Sequence, residues 1–189
     1  MSRKAGLSQI GAMPFTTRDL KRLGLKPNDL RRLLRNEDVL RIGRGVYQAA
    51  NSDLDEESQF RGATKRIRGH SAVCLLSALS FYNLTDEIPR KVWLMVEANR
   101  RSYQRDIRLF RSRDPRWRVG IDIADGYRIT NVERTIVECL THQKKLGHLG
   151  IEALKRAIKD KKTQLGKVMD MATKLDVSHR VFPYIQALS

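Results

Sequence analysis

Four side chains in the segment Pro27–Arg35, PNDLRRLLR, carry the most legible chemistry in this sequence. At helical spacing, Asn28, Arg31, Arg32 and Arg35 fall on one side, while Leu30, Leu33 and Leu34 follow the i, i+3, i+4 pattern of a core stripe on the other. Three guanidinium groups and an amide are suited to DNA phosphates, to the O6/N7 edge of guanine and to the N6/N7 edge of adenine. Six residues further on, Arg41 precedes a glycine-rich turn, Gly43-Arg44-Gly45, that has Arg44 at its centre, inside the apolar-rich stretch Val39–Gln48. That arrangement fits a basic β-hairpin. Thr17 and Arg18, at the start of the preceding helix, complete the candidate DNA-binding set.

The elements that must position these groups are also written locally. Thr16 followed by Asp19 is a variant capping box at a helix start. Leu20 and Leu23 share one face of that helix. Gly24 sits where a C-cap needs a left-handed residue, and Pro27 opens the next helix, where its missing N–H costs nothing. Helix, tight turn, basic helix and hairpin together make a winged helix-turn-helix, which places a helix in the major groove. A charge-rich helix face is by itself most simply a solvated surface. It is the agreement of leucine stripe, turn and hairpin that points to DNA.

Composition sets the wider frame. The chain has 189 residues, with 37 Lys+Arg against 21 Asp+Glu, a net charge of +16. Such a surplus favours a polyanionic partner. Residues 1–50 hold 11 basic and 4 acidic side chains and the remainder 26 and 17, so both parts are basic. The two cysteines, Cys74 and Cys139, fall in apolar helical patterns and read as buried, reduced thiols. No signal-like leader and no membrane-length apolar run is present, so a cytoplasmic protein with no membrane role is expected, and the lack of a nuclear-type basic tract suits a bacterial one. Repeats and low-complexity segments are absent.

The expected fold class is α+β: a winged helix-turn-helix domain at 1–50, then a second domain at 53–189 with a small sheet and several helices. A short helix at 2–12 is expected to pack Leu7 and Ile10 under the first domain. The acidic junction Asn51–Glu57 starts a helix to about Arg68, and the domain boundary is placed at 50–53. A helix from Gly69-His70-Ser71 to about Tyr82 follows. Strands are expected at Lys91–Val96, Asp106–Arg111, Trp117–Ile123 and Tyr127–Thr130. A helix from Asn131 to about Lys145, stopped by Gly147, precedes helices at 150–159, 163–174 and about 179–188.

Within the second domain, residues 90–118 hold ten Lys/Arg against three acids. Arg100, Arg101, Arg105, Arg108, Arg111 and Arg113 are the candidate partner-binding residues, joined by Arg116 and Arg118, with Tyr103, Phe110 and Trp117 interleaved. Arginines among aromatics suit a nucleic-acid backbone. Arginine stems covering apolar surface and docking to an acidic protein are the alternatives. Metal-dependent DNA cleavage would need clustered carboxylates, and Asp106, Asp122, Asp125 and Glu133 could supply acids. No strand ends in Asp/Glu-x-Lys, however; Asp19-Leu20-Lys21 and Asp160-Lys161-Lys162 lie in predicted helix or loop. His70 beside Ser71, with Cys74 a turn on, reads as a capping or surface residue rather than part of a nucleophilic site. No catalytic residue, metal site or cofactor is expected.

Nearly the whole chain resembles the AbiEi-type antitoxins of type IV (abortive-infection) toxin–antitoxin systems. The resemblance rests on three segments in order. They are Phe15–Tyr47, with FTTRDL and LRIGRGVY; Ser77-Ala78-Leu79 followed by Leu84–Pro89; and Ile129–Glu138, ITNVERTIVE, where Glu138 stands in place of the family's Asp. It implies a winged helix that binds inverted repeats in its own promoter and represses transcription. It also implies a C-terminal domain that counters a nucleotidyltransferase-like toxin without requiring a stable complex. A monomer in solution that binds DNA cooperatively is expected. The competing reading is a plain transcriptional regulator with a ligand-sensing or oligomerisation domain.

Overall fold

The structure, a computed structural model, describes residues 13–52, 55–67, 70–101 and 104–188. The expected helix at 2–12, and Tyr103, lie outside these. Two compact units divide the chain, the first ending at Gly69 and the second starting at His70. In the first, β1 (Phe15–Thr16), α1 (Thr17–Arg22), α2 (Pro27–Arg35), β2 (Val39–Gly43), β3 (Val46–Ala49) and α3 (Glu56–Arg66) follow in order. The strands form an antiparallel sheet in the order β1-β3-β2. Phe15, Leu20, Leu30, Leu33 and Val39 make the core beneath α1 and α2.

α3 departs from the expected division at 50–53. It packs against all three strands of the first sheet, burying Phe60 and Ala63. Lys65 Nζ donates to the Pro14 carbonyl and lies 3.7 Å from Asp19 Oδ2. The acidic junction thus starts the closing helix of the first unit: Asp55 caps it, its Oδ1 accepting the Ser58 N–H at 2.7 Å.

The second unit is built on a mixed five-stranded sheet of order β6-β5-β4-β8-β7, from β4 (Ser71–Val73), β5 (Val92–Glu97), β6 (Ile107–Ser112), β7 (Ile121–Ala124) and β8 (Tyr127–Thr130). β5 pairs in parallel with β6 and antiparallel with β4; β8 is parallel to β4 and antiparallel to β7. Val92 to Val96 are all buried, as the run of apolar residues at both parities predicts. The helices are α4 (Leu75–Phe81), α5 (Val132–Thr141), α6 (Gln143–Lys159), α7 (Leu165–Lys174) and α8 (Ser178–Gln186). Ala72, Trp93 and Met95 of the sheet join one core with Ile136, Leu140, Leu154 and Val168.

Three expected elements are corrected. Gly69–Tyr82 is not one helix: Ser71–Val73 is the central strand, and α4 begins only at Leu75, whose φ of 50° makes a sharp strand-to-helix corner. Trp117–Gly120 lies in turns, so the strand expected at 117–123 starts at Ile121. The helix after Asn131 ends at Thr141, and Gly147 does not stop a helix, because α6 runs through both Gly147 and Gly150. A Cβ at Gly150 would stand 2.7 Å from the Leu140 nitrogen and 3.0 Å from the Cys139 carbonyl carbon. This glycine lets α5 and α6 touch backbone to backbone; it does not end a helix. Both cysteines are buried as free thiols.

The segments that carry the family resemblance in this unit are largely structural. Asn131 caps α5, its Oδ1 accepting the Arg134 N–H at 2.8 Å. The hydroxyls of Thr130 and Thr135 are 2.7 Å apart. Arg134, 3% exposed, places Nε 2.8 Å from Glu138 Oε1 and donates from Nη1 to the Val119 carbonyl at 2.6 Å. Ser77 Oγ accepts the Trp93 N–H at 3.0 Å, and Asp86 receives both ends of the Arg156 guanidinium at 2.9 and 2.7 Å.

Candidate nucleic-acid interface

The helix α2 is held by one face and presents the other. Leu30 and Leu33 are buried and Leu34 is half-buried, while Asn28, Arg31, Arg32 and Arg35 are all exposed. At the N-terminus of α1, Thr16 Oγ1 accepts the Asp19 N–H at 3.4 Å and Asp19 Oδ2 accepts the Thr16 N–H at 2.7 Å. The predicted capping box is therefore formed, and Thr17 and Arg18, between its two members, stand exposed. Burial works to raise the Asp19 carboxyl. The hydrogen bonds from Thr16 and the charge of Lys65 outweigh it, so the group titrates below its ordinary range. Gly24 takes φ +72°, which turns the chain from α1 to α2.

The four α2 groups are not equivalent. Asp29 accepts the Lys26 N–H at 2.8 Å through Oδ2, and its Oδ1 lies 3.4 Å from Arg32 Nη2. Arg32 thus shares its charge with an acid one turn back, an i, i+3 spacing already visible in the sequence but not used there. Arg31 Nη1 stands 3.5 Å from Asn28 Oδ1, so these two can act together. Arg18, Arg35 and Arg44 have no ion-pair partner among the described residues.

The wing is the β2–β3 hairpin. Of its two glycines only Gly45 has positive φ, at +73°. Arg44 is exposed at the tip, and Arg41 is exposed along β2 with Nε donating to the Gly43 carbonyl at 3.2 Å. Replacing Gly45 by Val forces a β-branched residue into the left-handed region and is expected to cost about 1–2 kcal/mol of stability. DNA affinity should fall with it if the wing contacts DNA, and Arg44→Ala should then weaken DNA binding and leave the melting temperature unchanged. Low-salt DNA titrations alongside thermal melts check both; equal affinity of all three proteins would remove the wing from the interface.

In the second unit, Arg101, Arg105, Arg108, Arg111 and Arg113 are exposed and Arg100 is partly buried. Arg108 and Arg111 lie on β6, an edge strand of the sheet; Arg100, Arg101 and Arg105 precede it and Arg113 follows it. The described aromatics of this region, Trp93, Phe110 and Trp117, are not open stacking platforms. Trp93 is 7% exposed and lies under the Arg108 guanidinium at 4.1 Å. Phe110 meets the His142 ring edge-on at 5.5 Å, and Arg118 covers Trp117 at 5.3 Å. Arg111 Nε donates to the Arg100 carbonyl at 2.8 Å, and Arg116 is bound to Asp114 and Asp176. The guanidinium groups of Arg108 and Arg118 thus lie over indole rings, a cation–π arrangement that occupies those ring faces.

The acids considered for metal binding are dispersed. Asp106 precedes β6, Asp122 lies on β7, Asp125 is in the β7–β8 turn, and Glu133 accepts the Thr163 hydroxyl at 2.7 Å. Among the described residues no three His, Cys, Asp or Glu side chains gather as a metal site. Asp19 and Lys21 sit within α1, and Asp160 to Lys162 follow α6. Nor is any described helix long and apolar enough to cross a membrane.

An anchored basic helix beside a three-stranded sheet with a basic hairpin defines the first unit as a winged helix-turn-helix within an α+β chain. Residues 12–50 match the family described as "Transcriptional regulator, AbiEi antitoxin", the family that the sequence resembles. None of the curated proteins matches the chain.

Proposed function

We propose that this chain is an antitoxin and transcriptional repressor with no enzymatic activity. Its winged helix binds inverted repeats in its own promoter, and its second unit counters a nucleotidyltransferase-like toxin. The observation that carries the reading is the exposed Asn28/Arg31/Arg35 face of a helix fixed by Leu30 and Leu33, inside the segment that matches the antitoxin family. Steering by net positive charge brings the chain to DNA, and the helix and wing then set register on the duplex. The outward-facing arginines beside β6 are the proposed surface toward the toxin or another acidic partner.

The two activities should separate between Gly69 and His70, where the compact units divide. A fragment of residues 1–69 retains α3 over its sheet and should shift the promoter fragment without rescuing growth. A fragment of residues 70–189 should do the reverse when the toxin is expressed. One starting near Ser52 would carry Phe60 and Ala63 without the sheet that covers them and should be less soluble. Gel shifts and growth curves on the three fragments test this. Rescue by 1–69, or promoter binding by 70–189 alone, would contradict the assignment.

A further inference from the structure

The second unit contains a cleft of about 210 Å³ that neither DNA binding nor the β6 arginines use. Its apolar wall is Trp117, Ile121 and Ile123, and its polar rim is His70, Arg118 and Arg128. Ile121 and Ile123 stand on β7, and Asp122 between them alternates to the opposite face of the sheet. Arg128 comes from the neighbouring strand β8, whose register opposes Arg128 to Ile123. Trp117 is 8% exposed, with the Arg118 guanidinium 5.3 Å from its ring and the His70 ring 6.3 Å away.

Two features of this cleft lack a counterpart. Arg118, Arg128 and His70 converge with no acidic side chain paired to any of them among the described residues. Ile123, directly beside them, is 81% exposed. The two guanidinium groups, lining one cleft without an acid, favour an anionic occupant. An exposed aliphatic wall next to an indole favours a flat apolar group on the same molecule. The space is smaller than the roughly 300–1,000 Å³ of a cavity for a drug-sized ligand, which limits the enclosed part to about one ring system. Two guanidinium groups suit a phosphate better than a single carboxylate. A duplex backbone offers phosphates but no free planar group to enter a concave wall.

We propose that this cleft binds a small ring-bearing phosphate monoester, a nucleoside monophosphate being its simplest form. The ring lies on Ile121, Ile123 and the edge of Trp117, and the phosphate is held between Arg118 and Arg128. This goes beyond the repressor and antitoxin reading and stands whether or not that reading holds, since none of its residues belongs to the winged helix.

Calorimetry on the full chain with AMP, adenosine and inorganic phosphate is the test, with Trp117 emission in a Trp93→Phe background as a second readout. AMP should bind saturably with a Kd below about 1 mM, and adenosine and phosphate should each bind at least about tenfold more weakly. Arg118→Ala, at an exposed position, should lose about tenfold in AMP affinity with melting temperature and promoter binding unchanged, and Ile123→Ser should lose several-fold. The proposal is overturned if AMP shows no saturable binding, if adenosine or phosphate alone matches AMP, or if folded Arg118→Ala binds AMP as the wild type does.

Discussion

Replacing Arg134 by Ala is expected to destabilise the second unit by about 3–5 kcal/mol, the usual consequence of leaving one member of a buried ion pair alone. Glu138 is 8% exposed, and its Oε1 is held by Arg134 at 2.8 Å. Its Oε2 has no hydrogen-bond partner among the described residues. The Val119 carbonyl would also lose its donor. In a chain of this size the loss corresponds to a fall of roughly 10 °C or more in melting temperature.

The pH dependence should identify the cause. Burial pushes the Glu138 carboxyl up, and the charge and hydrogen bond of Arg134 only partly oppose this. A carboxyl whose folded pKa lies above its unfolded value binds more protons when folded. Its contribution therefore worsens as pH rises from the unfolded toward the folded pKa and improves on acidification through the same window. Without Arg134 that upward shift grows. The deficit of Arg134→Ala relative to wild type should accordingly narrow as pH falls from neutral toward the ordinary carboxylate range. Chemical denaturation at several pH values measures it, and a pH-independent deficit would point to lost packing alone. Arg134→Met combined with Glu138→Leu should recover part of the stability by removing both charges.

The second large effect is on DNA. Arg31→Ala, Arg32→Ala and Arg35→Ala together should abolish measurable promoter binding in a protein that still folds, because all three side chains are exposed and none belongs to the α2 core. Each guanidinium that pairs with a guanine contributes about 1–3 kcal/mol of discrimination. Each that touches only phosphate steepens the dependence of log K on log salt by about 0.9. The single variants should rank by commitment. Arg32, shared with Asp29, should matter least, and Arg35, with no acid beside it, more. Salt-dependent titrations on promoter and scrambled duplexes separate the two kinds of contact. Wild-type binding by the triple variant would remove α2 from the interface.

What the sequence made legible was local. Thr16 and Asp19, Gly24, Pro27 and the leucine stripe lie within a few residues of one another, and each acts through backbone geometry that neighbours alone decide. The run Val92–Val96 was legible for a related reason, since apolar residues at both parities admit one environment. Ser71–Val73 was not. Three residues have no usable period, and their strand state is imposed by β5 and β8 from either side. Gly147 and Gly150 carry the same letter as a helix stop, but the close approach that calls for Gly150 belongs to Leu140 and Cys139 on another helix. Arg134 and Glu138 look like a surface pair at i, i+4; only the carbonyl of Val119, from the turn before β7, shows that they are inside. The candidate DNA contacts were readable because a recognition face is built on one short helix. The Arg118/Arg128 cleft was not, because it joins a loop to a neighbouring strand.

The place of β4 in the sheet also orders events at the ribosome. β4 lies between β5 and β8, and its parallel partner Ile129 is 56 positions downstream of Val73. The central layer of the second unit cannot close until residues near 130 have been synthesised, and α5 to α8 emerge later still. Pairings across such separations form slowly. The first unit needs only the neighbouring hairpin β2–β3 and the helix that follows it, so it can complete its fold while the rest of the chain is still being made. A nascent chain of this protein would therefore acquire the surface proposed to read DNA before it acquires the surface proposed to counter the toxin.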